Sequence, residues 1–218
     1  MNEKMDMRIS GSSTMPGGEY DRVSISGSGT VQGDLRCQSL SCSGSARVQG
    51  DVDCAGEVRS SGSSKVTGSI TCESLSCSGA VKCEGSILSR GRIHSSGAMK
   101  VSGSLEGGEV DVSGGLEAAD IHCQELRCSG AMNVSGGVEA EAVRISGMAG
   151  IPGLLNAETV EIAANRGIRI GSIGGGLRCL IKQPCLIPLF ALCQIHCPHH
   201  AFLGALAPQE QKAPPCQQ

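Results

Sequence analysis

Two groups of residues in this sequence have side chains suited to site chemistry. Near the C-terminus, Cys193, His196, Cys197, His199 and His200 crowd together, and thiolates and imidazoles are the ligands zinc prefers. The spacing C-x-x-H-C-P-H-H fits no zinc arrangement, however, and no second ligand pair stands at the usual distance. Farther upstream lie eight of the 13 cysteines. Cys37, Cys54 and Cys72 occupy one equivalent position of a repeat, and Cys42, Cys77 and Cys128 another. Stacked one strand spacing apart, such thiols are close enough to pair as a disulfide or as thiolate ligands, but inward-facing positions disfavour the ionised form. They read as small buried hydrophobes. For the histidines within the repeat, His94 and His122, no plausible constellation of carboxylates to orient either as a base is visible from the sequence. The expectation is therefore no catalytic residue, no metal site and no cofactor.

What positions these residues is a repeat. The first apolar residue of each unit is Val23, Leu40, Val58, Leu75, Ile93, Val110, Leu126, Val143 and Val160, at separations of 17, 18, 17, 18, 17, 16, 17 and 17. Two residues on comes Ile25, Cys42, Ser60, Cys77, Ser95, Val112, Cys128, Ile145 or Ile162. Ser-Gly follows, with its glycine at Gly27, Gly44, Gly62, Gly79, Gly97, Gly114, Gly130 and Gly147. Four residues later stands Val31, Val48, Val66, Cys83, Val101, Ala118, Val134, Ile151 or Ile168, and a third pair such as Leu35 with Cys37 or Val52 with Cys54 closes the unit. Alternation of this kind is a strand signature. Glycine suits the bends, where the chain turns sharply and often at positive φ.

Three short strands and three corners in about 17 residues predict one triangular coil of an all-β fold, a right-handed parallel β-helix of about nine coils. At ~4.8 Å per coil the rod is on the order of 40 Å long. A single coil buries too little to offset the ordering of its chain, so stability must come from stacking. The expected organisation is a largely flexible lead-in over 1–19, the β-helix over 20–175, and a Cys/Pro-rich apolar tail over 176–218 that is a cap or is disordered. The end coils, around Val23, Ile25 and Val31 at one end and Val160, Ile162 and Ile168 at the other, present free backbone groups and apolar side chains, and are the expected self-assembly surfaces.

Composition narrows the function classes. The formal net charge is −3 with acidic and basic residues interspersed, and the repeat offers only Tyr20 for stacking on bases. No basic stripe is visible to neutralise phosphates, so nucleic acid is not an expected partner. Met1–Ser10 holds Glu3, Lys4, Asp6 and Arg8 and lacks the apolar run of an export signal, which points to the cytoplasm. Leu186 to Cys193 is too short to span a bilayer, and Lys182, Pro184, Pro188 and Pro198 interrupt any longer helix. Membrane contact is expected to be peripheral at most, at the inner face.

The repeated pattern resembles the bactofilins. It is seen in Val23-Ser-Ile-Ser-Gly27, in Leu40-Ser-Cys-Ser-Gly44 with Val48 and Gly50, and in Leu126-Arg-Cys-Ser-Gly130 with Val134 and Gly136. Arg8-Ile-Ser-Gly11 and Gly17-Gly-Glu-Tyr20 resemble the lead-in of the Gram-positive branch. The resemblance covers about residues 8–175. It implies a bacterial cytoskeletal protein, not an enzyme, that assembles with itself into filaments without nucleotide and serves cell shape, envelope or motility functions. Other bactofilin-like paralogues and envelope proteins are the further partners it suggests. Two alternatives stay open: a non-polymerising β-helix module that binds a protein partner, and a left-handed β-helix acyltransferase, whose hexapeptide screw would also give about 18 residues per coil but with an aliphatic residue every six positions.

Overall fold

The computed structural model describes residues 5–163, 167–175, 178–181 and 194–195. Described strands pair in parallel within one sheet, each joined to the strand one coil away. The result is a right-handed parallel β-helix of about ten turns. The first apolar position forms an unbroken ladder: Met7, Val23, Leu40, Val58, Leu75, Ile93, Val110, Leu126, Val143, Val160 and Cys179 are successive partners.

Each coil has six inward positions. Beginning at Val23 they are residues 23, 25, 29, 31, 35 and 37, before Leu40 opens the next coil. Steps of two place both side chains on the inner face of one strand, and steps of three or four carry the chain round a corner. Most of the variation in coil length lies in the corner after the Cys37-type position, with Leu40 to Val58 taking one residue more there than Val58 to Leu75. The strands themselves keep register. An aliphatic residue every six positions, the left-handed alternative, is not the pattern that the core uses.

One inward ladder is weak in the sequence. It runs Gly29, Ala46, Ser64, Val81, Met99, Leu116, Met132 and Ala149, and its members trade volume with the neighbour four residues before. Beside Ile25 the position is Gly29, where an added methyl would press on the Ile9 and Ile25 side chains; beside the small Ser95 it is Met99, which is 2% exposed. Where both positions are serine, Ser60 and Ser64 hydrogen-bond to each other at 2.9 Å, next to a small internal cavity of about 20 Å³. A close-packed interior requires such trades at fixed coil diameter.

Glycine at the Ser-Gly corner is required by close approach rather than by positive φ. Positive φ is confined, among the described residues, to Gly18, Gly33, Gly167 and Gly175. At Gly44, Gly62, Gly79, Gly97, Gly114, Gly130 and Gly147 an added Cβ would come under 3.0 Å from the carbonyl oxygen of the same glycine one coil before. That oxygen also accepts the next coil's amide, as in Gly115 N–H to Gly97 O at 2.9 Å and Ala131 N–H to Gly114 O at 2.9 Å. The glycines form a backbone-on-backbone column. A second corner is stitched by side chains: Asp34 Oδ1 accepts from Asp51 N–H at 2.9 Å, Asp51 Oδ1 from Ser69 N–H at 2.8 Å, and Ser69 Oγ from Ser86 N–H at 3.2 Å.

Two boundaries differ from the sequence reading. Residues 7–19, read as part of a largely flexible lead-in, add a coil through Met7–Ile9 and Ser12–Glu19, which pair with the strands over residues 22–25 and 28–37. The buried Met7 and Ile9 continue the Val23 and Ile25 ladders, and the half-buried Met15 continues the ladder of Val31. At the other end Arg178–Ile181 pairs with residues 159–162, taking the ladder past residue 175. Apart from residues 194–195 the remaining tail, including Cys193, His196, Cys197, His199, His200 and the whole segment from Leu186 to Cys193, lies outside the described residues.

Candidate assembly ends and lateral faces

The six residues read as end-coil surfaces are placed differently from one another. Val23, Ile25 and Val31 are at most 1% exposed and have Met7, Ile9 and Met15 as partners in a preceding rung. Val160 and Ile162 have Cys179 and Ile181 beyond them. These five are therefore not in the outermost described rungs. Ile168 pairs with Ala149, and Ile170 takes the place opposite Ile151 that the repeat assigned to Ile168. The shift arises because Ile168 and Ile170 alternate with polar residues in the same way, so that the pattern alone fits either register.

The outermost rungs are built as follows. Met7–Ile9 and Ser12–Glu19 each pair on one side only among the described residues. At the far end Arg178–Ile181 pairs only with residues 159–162, and Gln194–Ile195 only with residues 172–173. Strand edges of this kind present unmatched N–H and C=O groups.

The long faces differ from one another in charge. On one, Arg92 bonds to Glu109 at 2.6 Å, Arg127 to Glu109 at 3.1 Å and to Glu125 at 2.9 Å, and Arg144 to Glu125 at 3.3 Å and to Glu161 at 3.5 Å. Opposite charges on adjacent rungs are the favourable arrangement. His94 on this face lies 3.3 Å from Asp111, and His122, on another strand of the coil, 3.4 Å from Glu139. Each histidine thus has a carboxylate that the sequence does not reveal, because the partner is 17 residues away and reaches it one coil on. The two pairs do not meet.

A second face corrects the view that no basic stripe exists. Arg47, Lys65, Lys82 and Lys100 are successive partners on the rungs of one sheet face. Their spacing of 18, 17 and 18 residues is the coil length, so charges scattered in the sequence are collected into a line by folding. Glu84 lies 2.8 Å from Lys65 and 3.9 Å from Lys82, and Glu117 pairs with Lys100.

The inward cysteines behave as packing residues. Cys37, Cys42, Cys54, Cys72, Cys77, Cys83 and Cys128 are buried and unbridged, and Cys123 is partly buried. Burial pushes the Cys72 thiol up to about 11 and Cys123 up to about 12, and also raises Cys77, Cys83 and Cys128. Cys37 and Cys54 are register partners. The hydrogen bond between their sulfurs raises Cys37 and pulls Cys54 down against its burial. With both side chains at most 5% exposed, the protonated pair is the form that the interior favours. Among the described residues no group of three or more Cys, His, Asp or Glu side chains is placed to hold a metal ion, and no helix is long and apolar enough to cross a membrane.

Coils of 16–18 residues, stacked in register and, among the described residues, unpaired at the outer edge of each end, define the class as a parallel β-solenoid. Residues 1–88 match the family model described as Bactofilin, polymer-forming cytoskeletal. Residues 1–88 are thus similar to the bactofilin family that the repeat resembles, and the coils after residue 88 continue the same ladders without a break. No curated protein and no solved structure matches the chain.

Proposed function

We propose that the chain is a cytoplasmic scaffold subunit that assembles end to end into filaments without nucleotide, serving cell shape, envelope or motility functions. The observation that supports this reading is the ladder itself. One register runs from Met7 to Cys179, and its two outer edges have the same spacing and parallel sense, so the last coil of one copy offers the first coil of another the contact that each coil already makes internally. A head-to-tail contact of this kind is open-ended. Growth needs no energy source, because each junction adds backbone hydrogen bonds and buries apolar edges.

The N-terminal assembly surface in this reading is the rung of Met7, Ile9 and Met15, one coil outside Val23, Ile25 and Val31. At the C-terminal end it is formed by the backbone of residues 178–181 and 194–195 and by the rung of Ile168 and Ile170. Partners are other copies of the chain and, by the family resemblance, related bactofilins or envelope proteins. The lead-in motifs at 8–11 and 17–20 are the basis for placing it in the Gram-positive branch.

Ile9→Asp tests the interface. A carboxylate in the outermost rung should disperse filaments, seen by negative-stain electron microscopy, while the circular dichroism of the remaining coils is kept. Filaments as long as those of the parent would show that this edge is not the junction. Rods that stay monomeric at high concentration, with the tail intact or removed after residue 181, would favour the non-polymerising binding module instead.

A further inference from the structure

The line of Arg47, Lys65, Lys82 and Lys100 is not what fold stability would select. Like charges on adjacent rungs repel; on the ion-paired face Glu109 with Glu125 and Arg127 with Arg144 are also register partners, but each of those four has an opposite charge within 3.3 Å. Four cations here face two carboxylates, Glu84 and Glu117, with Glu84 shared between Lys65 and Lys82. Arg47 makes no ion pair among the described residues and is exposed. The four side chains span three rungs, about 14 Å at ~4.8 Å each.

Beside the cations runs a second outward column of small side chains: Ser63, Ala80, Ala98, Gly115 and Ala131. The two columns border an open groove of about 640 Å³. Its floor is low because these residues have almost no side chain, and its cationic edge rises above it. Five rungs extend about 19 Å, the length of roughly six residues of extended chain. Aromatic side chains on which bases would stack are missing from the lining. The trough shape suits a narrow strand rather than a flat bilayer surface.

We propose that this groove binds an extended acidic peptide segment of a partner protein, lying along the rod axis with its carboxylates on Arg47, Lys65, Lys82 and Lys100. The recognition is electrostatic: each carboxylate gains charge-assisted hydrogen bonds from long, mobile cations, and binding relieves the repulsion between rungs. The groove lies on the side of the rod, away from both ends, so it remains accessible whether the rods are single or joined.

The test is fluorescence anisotropy of a fluorescein-labelled peptide of alternating Glu and Ser, titrated with the full chain. Saturable binding is expected, weakening about tenfold or more between low and physiological salt. A variant with Arg47, Lys65, Lys82 and Lys100 all changed to Gln should bind at least about tenfold more weakly, whereas Arg127→Gln with Arg144→Gln, on the ion-paired face, should bind within about twofold of the parent. Lys82→Glu alone gives the same direction of change without removing four charges, should the multiple variant fold poorly. The proposal is overturned if the parent shows no saturable binding of this peptide, if the basic-face variants bind it as the parent does, or if an oligothymidylate or phosphatidylglycerol vesicles bind more tightly than the peptide at the same salt.

Discussion

Gly114 and Gly115 are adjacent in sequence and separate two explanations of the corner glycines. A Cβ on Gly114 would come under 3.0 Å from Gly97 O, Ser96 O and Ser96 C, whereas nothing lies within 4 Å of one on Gly115. Neither has a positive φ. Gly114→Ala must therefore push two coils apart where Gly115 N–H donates to Gly97 O at 2.9 Å. Overpacking of one methyl costs about 1–3 kcal/mol, and weakening that hydrogen bond adds about 1 kcal/mol. A total loss of about 2–4 kcal/mol corresponds to a fall in Tm of roughly 5–15 °C for a chain of this size. Gly115→Ala should be neutral, or more stable by about 0.5 kcal/mol through a less flexible unfolded chain. The assay is thermal and urea unfolding of both variants by circular dichroism. Gly114→Asn adds a discrimination: asparagine tolerates positive φ better than alanine does, but in a steric column it should be at least as damaging. Equal effects of Gly114→Ala and Gly115→Ala, or a mild Gly114→Asn, would refute the close-approach argument.

Alkaline pH should unfold the rod. Cys72, Cys77, Cys83, Cys123 and Cys128 have raised folded-state values, so their contribution is fully present below the unfolded value of about 9 and is lost as pH rises from there through the folded values. The slope is about 1.4 kcal/mol per pH unit for each fully titrating thiol. A Tm flat between pH 9 and 11 would contradict it. Alkylation mapped by mass spectrometry should leave these buried thiols unlabelled in the native rod at pH 8, with Cys123 labelled first; rapid native labelling of Cys77 or Cys83 would count against their burial. Ser95 Oγ is buried with no hydrogen bond of standard geometry, the Cys77 thiol being close enough to interact with it weakly, between Cys77 and Val112 in its ladder. Ser95→Ala should raise stability by about 1 kcal/mol in urea unfolding, and a loss of that size would show that the hydroxyl is satisfied.

Much of the fold was legible because a solenoid writes its core into one period. The Val23, Ile25, Val31, Leu35 and Cys37 ladders all appear as apolar or small residues at fixed spacing, and that is enough to set three strands per coil. The ladder from Gly29 to Ala149 escaped because its occupants range from Gly29 to Met99 as they compensate their neighbours, and volume complementarity has no period. The first coil escaped because the strand Ser12–Glu19 is polar and glycine-rich, with Met15 as its one large inward residue. The glycine column was found, but its cause was not: a sequence shows that glycine recurs, whereas only stacked coordinates show a carbonyl oxygen where Cβ would be. The lateral site was illegible for a related reason. Arg47, Lys65, Lys82 and Lys100 look dispersed along the chain, and adding the coil length to each in turn is what brings them together. The same step pairs His94 with Asp111.

The central claim is that the ladder continues from one copy into the next. Electron microscopy with fibre diffraction of the purified chain, without nucleotide, tests it most directly. The predicted result is unbranched filaments with a strong meridional spacing of about 4.8 Å and a subunit repeat of about 50 Å, from about ten turns per copy. Rods about 50 Å long that stay single at high concentration, or filaments whose strands do not lie across the long axis, would contradict it.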